Sequence, residues 1–204
     1  MRLTATTFVT LDGVMQAPGG PDEDRSGGFE HGGWSVPYAD EEFGRHVVTW
    51  FEQADAFLLG RRTYEIFAGY WPKMTDPADP IASRLNGLPK YVASRTLASA
   101  DWEGATLIEG DVVAAVRRLK EQPGRELQVH GSGELLQTLM EADLVDEHRL
   151  FLYPVLTGRG RRLFREAGPA RSLKLETSEV SPSGVIVSVY TRKGPLVTGS
   201  FEAP

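Results

Sequence analysis

The sequence predicts an α/β domain built on a mixed β-sheet, and three observations carry that prediction. Short apolar runs, of the kind found in strands buried on both faces, alternate with stretches of helical spacing. The last part of the chain turns to β-rich runs joined by a tight turn, an antiparallel finish. No internal repeat or domain-scale linker interrupts the 204 residues, so a single domain over 1–204 is expected.

The elements follow in order. Residues 3–10, LTATTFVT, are β-branched and aromatic and read as a first strand that Leu11-Asp12-Gly13 ends. Residues 17–35 hold six Gly residues and no apolar periodicity. A long loop is expected there, mobile in the free protein and ordered by ligands, because such a segment cannot repay its ordering entropy alone. From Asp40 a helix begins, with Phe43, Val47, Trp50 and Phe51 on one face. Ala56-Phe57-Leu58-Leu59 reads as a buried strand stopping at Gly60-Arg61-Arg62-Thr63, with a helix opening at Tyr64. The Asp-Pro steps at 76–77 and 79–80 predict an irregular stretch.

Tyr91-Val92-Ala93 and Thr106-Leu107-Ile108 are short strands, and Asp111 caps a helix with Val112, Val113, Val116 and Leu119 inward. Leu127-Gln128-Val129-His130 is a strand running into Gly131-Ser132-Gly133, after which Glu134 to Met140 resume helical spacing. Residues 147–153 alternate as a strand and stop at Pro154. The turn Ser181-Pro182-Ser183-Gly184 joins the runs 172–180 and 185–192 into a hairpin, leaving 193–204 as a tail.

Composition narrows the function. Hydrophobic residues at 41% and charged residues at 25% are close to ordinary globular usage. The absence of Cys excludes disulfides, thiolate metal sites and a cysteine nucleophile. A net charge of −6 argues against nucleic acid or an anionic membrane as partner. The N-terminus has no apolar signal region and no run approaches the ~20 apolar residues of a membrane span, so a soluble cytoplasmic protein is expected. Of the 22 basic residues five are Lys and 17 are Arg. Arg is the residue whose planar fork suits phosphate, although GC-rich coding accounts for most such usage.

Three strand ends carry the residues that could do chemistry. Gly60-Arg61-Arg62-Thr63 joins a buried strand to a helix. There a Gly permits close backbone approach and helix N-terminal amides bind anions, or the segment is a plain turn with solvated Arg. Gly131-Ser132-Gly133 occupies a second such junction. It is not a Rossmann fingerprint, since Leu136 stands where the third Gly is required, nor a P-loop. It can still cradle a pyrophosphate. Ser94-Arg95 closes a third strand with a hydroxyl and a guanidinium, a phosphate-monoester pair. His31, His46, His130 and His148 lack metal-site spacing, so no metal is expected. His130 reads either as a satisfied rim histidine or as a substrate contact. The run Gly158-Arg159-Gly160-Arg161-Arg162 reads as a turn, with phosphate binding the lesser reading.

Taken in order, Leu-Asp-Gly at 11–13, Gly-Arg-Arg-Thr at 60–63, Val-Ala-Ser-Arg at 92–95, Val-His-Gly-Ser-Gly at 129–133 and Leu-Val-Asp-Glu at 144–147 resemble the dihydrofolate-reductase superfamily. Within it they are most similar to the reductase domain of bacterial riboflavin biosynthesis and its stand-alone relatives. The resemblance spans about residues 2–192. It implies a mostly parallel sheet with helices on both faces, a C-terminal antiparallel hairpin, NADPH as cofactor and a homodimer. It assigns Gly60, Arg61, Arg62 and Thr63 to the nucleotide and pyrophosphate, Ser94 and Arg95 to the 2′-phosphate, and Gly131, Ser132, Gly133 and Glu134 to the pyrophosphate.

By the same resemblance Asp12 lies near the nicotinamide in an orienting or acid role. Asp40, Glu41 and Glu42 fall near the carboxylate that folate reductases place at their pterin-pocket helix. An acid there would need burial to raise its pKa toward neutrality. Gly131-Ser132 departs from the Gly-Gly pair of folate reductases, the late pterin-contacting Thr has no clear counterpart in 154–164, and a chain without the deaminase domain often fused to the riboflavin reductase is expected. The implied activity resembles 5-amino-6-(5-phosphoribosylamino)uracil reductase, delivering hydride to a small carbonyl, imine or pterin-like substrate. The competing reading is a non-catalytic NADPH-binding module serving as sensor or scaffold.

Overall fold

Strand parity sorts the interior into two cores. In the first strand Leu3, Ala5 and Val9 point to one side of the sheet, while Thr4, Thr6, Phe8 and Thr10 point to the other, as the two-residue period requires. The computed structural model describes residues 1–166 and 168–201. The elements are β1 (Arg2–Thr10), α1 (Glu41–Glu52), β2 (Ala54–Gly60), α2 (Arg61–Tyr70), α3 (Pro80–Gly87), β3 (Lys90–Ala93), β4 (Ala105–Leu107), α4 (Val112–Glu121), β5 (Glu126–His130), α5 (Gly133–Glu141), β6 (Glu147–Tyr153), β7 (Arg171–Val180) and β8 (Ile186–Pro195). Among the described residues no helix is long and apolar enough to cross a membrane.

Eight strands, counted among the described residues, form one sheet in the order β4-β3-β2-β5-β1-β6-β8-β7. Pairing is parallel from β4 to β6 and antiparallel at β6-β8 and β8-β7. This is the mixed sheet with a terminal hairpin that the sequence predicts. One face buries Leu3, Leu58, Leu127 and Val129 against Val116 of α4 and Leu136 and Leu139 of α5. The opposite face buries Phe57, Leu59 and Val92 beside Phe51 of α1 and Leu85 of α3, and Phe151 and Tyr153 beside Trp50. Helices therefore cover both faces. Each fully buried Leu or Phe contributes about 1.5–3 kcal/mol through the surface it removes from water.

Several boundaries differ from the sequence reading. The helix expected at Tyr64 begins at Arg61, directly out of β2. The stretch read as irregular contains α3: Asp79 accepts from the amides of Ile81 and Ala82, and Pro80 takes the first helical position, where its missing N–H costs nothing. Buried Lys90 collects the carbonyls of Leu85 and Leu88 at 2.7 Å each, closing the other end. β8 runs to Pro195, three residues into the expected tail, whose residues 202–204 lie outside the described ones. Residues 17–35 hold a 3-10 turn at Ser26–Gly28 and bury Ala17, Phe29 and Trp34.

The face under α1 also contains buried charge. Arg149 is 3% exposed and grips Glu126 with both terminal nitrogens, at 3.0 and 2.6 Å. Its Nε donates to Glu147 at 2.7 Å, and its guanidinium lies 5.2 Å from the Trp50 ring centre. Removing one member of a buried ionic cluster leaves an uncompensated charge. Arg149→Ala is expected to cost about 3–5 kcal/mol in urea unfolding, whereas Arg45→Ala on the surface should stay within about 1 kcal/mol. Equal losses in the two variants would refute the assignment.

Candidate active site

The carboxyl ends of β3, β2, β5 and β1 lie side by side, and they carry nearly all the residues singled out from the sequence. Open α/β sheets bind ligands at this edge. At its centre two helices start almost directly from parallel strands, α2 after Gly60 and α5 after the Gly131-Ser132 turn. Neither N-terminus has a side-chain cap, so the first-turn amides of both are donors without intrahelical partners.

One hydroxyl ties the two together. Ser132 Oγ accepts from the Gly60 amide at 2.9 Å and donates to Thr63 Oγ1 at 2.8 Å. Gly60 leaves room for this approach, since a Cβ there would stand at a tight 3.2 Å from both Cβ and Oγ of Ser132. Gly131 and Ser132 both adopt the left-handed region, at φ 59° and 63°, and the bond between them is trans. For a serine that conformation costs on the order of 1–3 kcal/mol, offset here by the two hydrogen bonds of its side chain. The turn thereby brings the start of α5 against the start of α2.

At the end of β3, Ser94 Oγ accepts from the amides of Thr96 and Leu97, shaping a tight turn. Arg61 reaches across to it, donating to Thr96 Oγ1 at 2.6 Å while its Nε bonds Glu65. Arg95 is exposed, with no ion pair among the described residues. Glu134 pairs with Arg165.

The end of β1 is covered by the 13–35 segment. Asp12 Oδ1 accepts from Thr10 Oγ1 at 2.6 Å, and Oδ2 accepts from the Gly158 amide at 2.9 Å. Val14 bridges to Arg162, and Met15 packs its sulfur where a Cβ on Gly133 would come within 3.3 Å. Gln16 holds the loop from inside, donating to the carbonyls of Asp24 and Ser26. The Asp24 carboxylate then meets two guanidiniums, Arg62 at 3.0 Å and Arg161. Sequence reasoning missed Asp24, Gln16 and this use of Arg161. The only signal was the Gly-Arg-Gly-Arg-Arg run, whose partner lies 137 residues away.

His130 ends a polar line along β5. Gln128 gives its amide nitrogen to the Trp50 carbonyl at 2.6 Å and to Glu126 at 2.7 Å, which leaves its oxygen facing His130 Nε2 at 3.1 Å. That arrangement assigns the proton to Nε2 and makes Nδ1 an acceptor. The ring stacks on Phe51 at 4.5 Å. Burial, with the Arg149 guanidinium second, pushes its pKa down to about 3.

The carboxylates run against the expectation of a raised pKa. Burial raises that of Asp12, but hydrogen bonds from Thr10, Gly158 and Thr157 together outweigh it and leave the group below its ordinary value. Asp40 is the N-cap of α1, accepting from the Phe43 amide at 2.8 Å and the Ser183 amide at 3.0 Å. The Phe43 amide and then Ser183 hold it down to about 2. Both are ionised at neutral pH, which a proton donor there must not be. Glu42, His46 and Glu179 come close enough to share an ion, yet Arg45 already bridges the two carboxylates.

The RibD C-terminal domain matches residues 2–187. The chain belongs to the RibD C-terminal domain family. Two Bacillus subtilis (strain 168) proteins of uncharacterized function are similar to it. YyaP is 29% identical over 195 residues, 95% of this chain and 96% of its own, and YwjB is 29% identical over 145 residues, 70% and 78%. Among solved structures, a protein assigned to riboflavin biosynthesis from Shewanella sp. PV-4 superposes with a TM-score of 0.67 at 23% identity, over 95% of this chain and 99% of its own. A pyrimidine reductase-like protein from Corynebacterium diphtheriae gives 0.61 at 14% identity, over 94% and 91%. These structures share the dihydrofolate-reductase-like fold with this RibD-type chain.

Two outcomes follow from the electrostatics. His130 should stay neutral, its ring NMR shifts flat from pH 8 to pH 5. Because its folded pKa lies below the ordinary 6.5, the stability it contributes is present above that pH and lost as pH falls toward 3. A midpoint near 6.5 would contradict the buried polar line. For Asp40, depressed from 3.8 to about 2, the contribution is present above about 4 and lost as pH drops through that window. Asp40→Ala should therefore be less stable than the parent at pH 7 in urea, with the gap closing between pH 4 and 2.

Proposed function

We propose that this RibD-family chain is an NADPH-dependent reductase of a small carbonyl or imine substrate. The observation that supports it best is the convergence of the α2 and α5 N-termini through Ser132, Gly60 and Thr63. A pyrophosphate fits that arrangement, since it needs several N–H donors aimed at one point and no intruding Cβ. In this reading Gly60 to Thr63 and Gly131 to Glu134 hold the pyrophosphate, and Ser94 with the unpaired Arg95 holds the adenosine 2′-phosphate. NADPH supplies the hydride when bound.

The chain's own residues then have distinct tasks. Asp12, ionised, fixes the turn at 157–158 beside the end of β1 instead of giving up a proton. His130 offers Nδ1 as a neutral acceptor to a substrate O–H or N–H. With both candidate carboxylates ionised, the proton that follows hydride addition comes from water or from an already protonated imine. The space between α1 and the sheet is filled by Phe8, Phe43 and Phe151 packed edge to face, with ring centres 5.0–5.4 Å apart. A flat bicyclic pterin would have to displace those rings, which favours a smaller substrate. The ionised state of both candidate carboxylates favours the second reading, a binding module without turnover.

A purified-protein substrate panel following NADPH absorbance separates the two. Calorimetry should show NADPH binding ten- to a hundredfold more tightly than NADH, the ~1.5–3 kcal/mol of a charge-assisted phosphate contact. Arg95→Ala should erase that preference. Equal affinities for the two nucleotides in the parent would sink the 2′-phosphate assignment.

A further inference from the structure

Arg62 and Arg161 stand on opposite sides of the site. Arg62 opens α2 at the end of β2, and Arg161 lies on the segment after β6, tied through its backbone to Met15 and Gln16 beyond β1. Across that gap both guanidiniums converge on the same two oxygens. Asp24 Oδ2 receives Arg62 Nη1 at 3.0 Å and Arg161 Nη2, and Ser26 Oγ receives Arg62 Nη1 at 3.0 Å and Arg161 Nη1 at 2.5 Å. Asp24 also accepts from the Ser26 amide at 3.0 Å, so the carboxylate is set by its own turn.

The placement of Arg161 is rigid. Its amide donates to Gln16 Oε1, its carbonyl accepts from Met15, and Gly160 before it has φ +129° with no room for a Cβ, which would meet Val14 at 2.6 Å. Two like charges held on one point repel unless an anion sits between them. Here that anion is supplied by the loop over the strand ends.

We propose that Arg62, Arg161 and the Ser26 hydroxyl form an anion subsite for a phosphate-bearing ligand, which the chain's own Asp24 carboxylate fills until the ligand displaces it. The proposal deepens the reductase reading by giving the ligand's phosphate a competitor inside the protein. Displacement turns only the Asp24 side chain out, because Gln16 still holds the carbonyls of Asp24 and Ser26 and so keeps the Ser26 hydroxyl in the subsite. The phosphate could be that of the dinucleotide or a monoester on the substrate, and the two are separable by experiment.

Calorimetry with inorganic pyrophosphate at low ionic strength tests it without any turnover. Asp24→Asn should bind pyrophosphate at least tenfold more tightly than the parent, and Asp24→Asn with Arg161→Gln should lose that gain. Asp24→Ser serves as a second variant should the first fail to fold, with circular dichroism as the check. Unchanged affinity in a folded Asp24 variant, or a gain that survives Arg161→Gln, overturns the proposal. Repeating the titration with ribose 5-phosphate under saturating NADPH identifies the source: retained tight binding marks a substrate monoester site, and competition marks the cofactor's phosphate. Because the readout is an inorganic anion, the subsite can stand or fall independently of NADPH oxidation.

Discussion

Two helices begin where two neighbouring parallel strands end, with two residues or fewer in between, and much of the site follows from that constraint. A helix that starts so abruptly has no room for an ordinary cap, so its first amides must find partners elsewhere. Between β2 and β5 the solution is a single serine hydroxyl that satisfies the Gly60 amide and holds Thr63. Glycine at 60 is the spatial condition, and the left-handed turn at 131–132 is the conformational one. The result is a pair of uncapped helix starts held together by strand and helix geometry before any ligand is considered.

Much of this was legible in the sequence because the signals were local. The alternation over 147–153 gave β6 its bounds, and Asp111 marked the start of α4. Three strand ends read as anion sites are neighbours in the sheet. The misses have equally physical causes. The Asp-Pro step at 79–80 reads as irregular from sequence, although Pro after an Asp at the cap position opens a helix. The start of α2 was placed three residues late because Gly60 ends the strand without an intervening turn. Asp24 and Arg161 meet only through the fold, so no spacing rule could pair them.

The acidic residues show why residue type alone is a poor guide to role. Asp12 and Asp40 sit near the strand ends, as resemblance to the riboflavin-type and folate reductases respectively suggests, yet each spends its oxygens on backbone amides. Hydrogen bonds to the ionised form outweigh partial burial, which is the opposite balance from the one a proton donor needs. The bland alternatives, a turn former and a helix cap, describe what their side chains touch.

The Arg149 cluster has a consequence for how the sheet selects its alignment. Thr6 of β1 pairs with His130 on one side and Arg149 on the other, and Thr4 pairs with Gln128 and Glu147. The polar residues of three adjacent strands thus occupy one face, in step. Sliding β6 by a single residue would turn Arg149 toward the leucine-rich side under α4 and α5, away from both carboxylates. A solitary guanidinium in that layer would be worth several kcal/mol against the misaligned sheet. Most sheets reject such slips by keeping apolar residues inside; this one also does so by making one wrong alignment electrically intolerable.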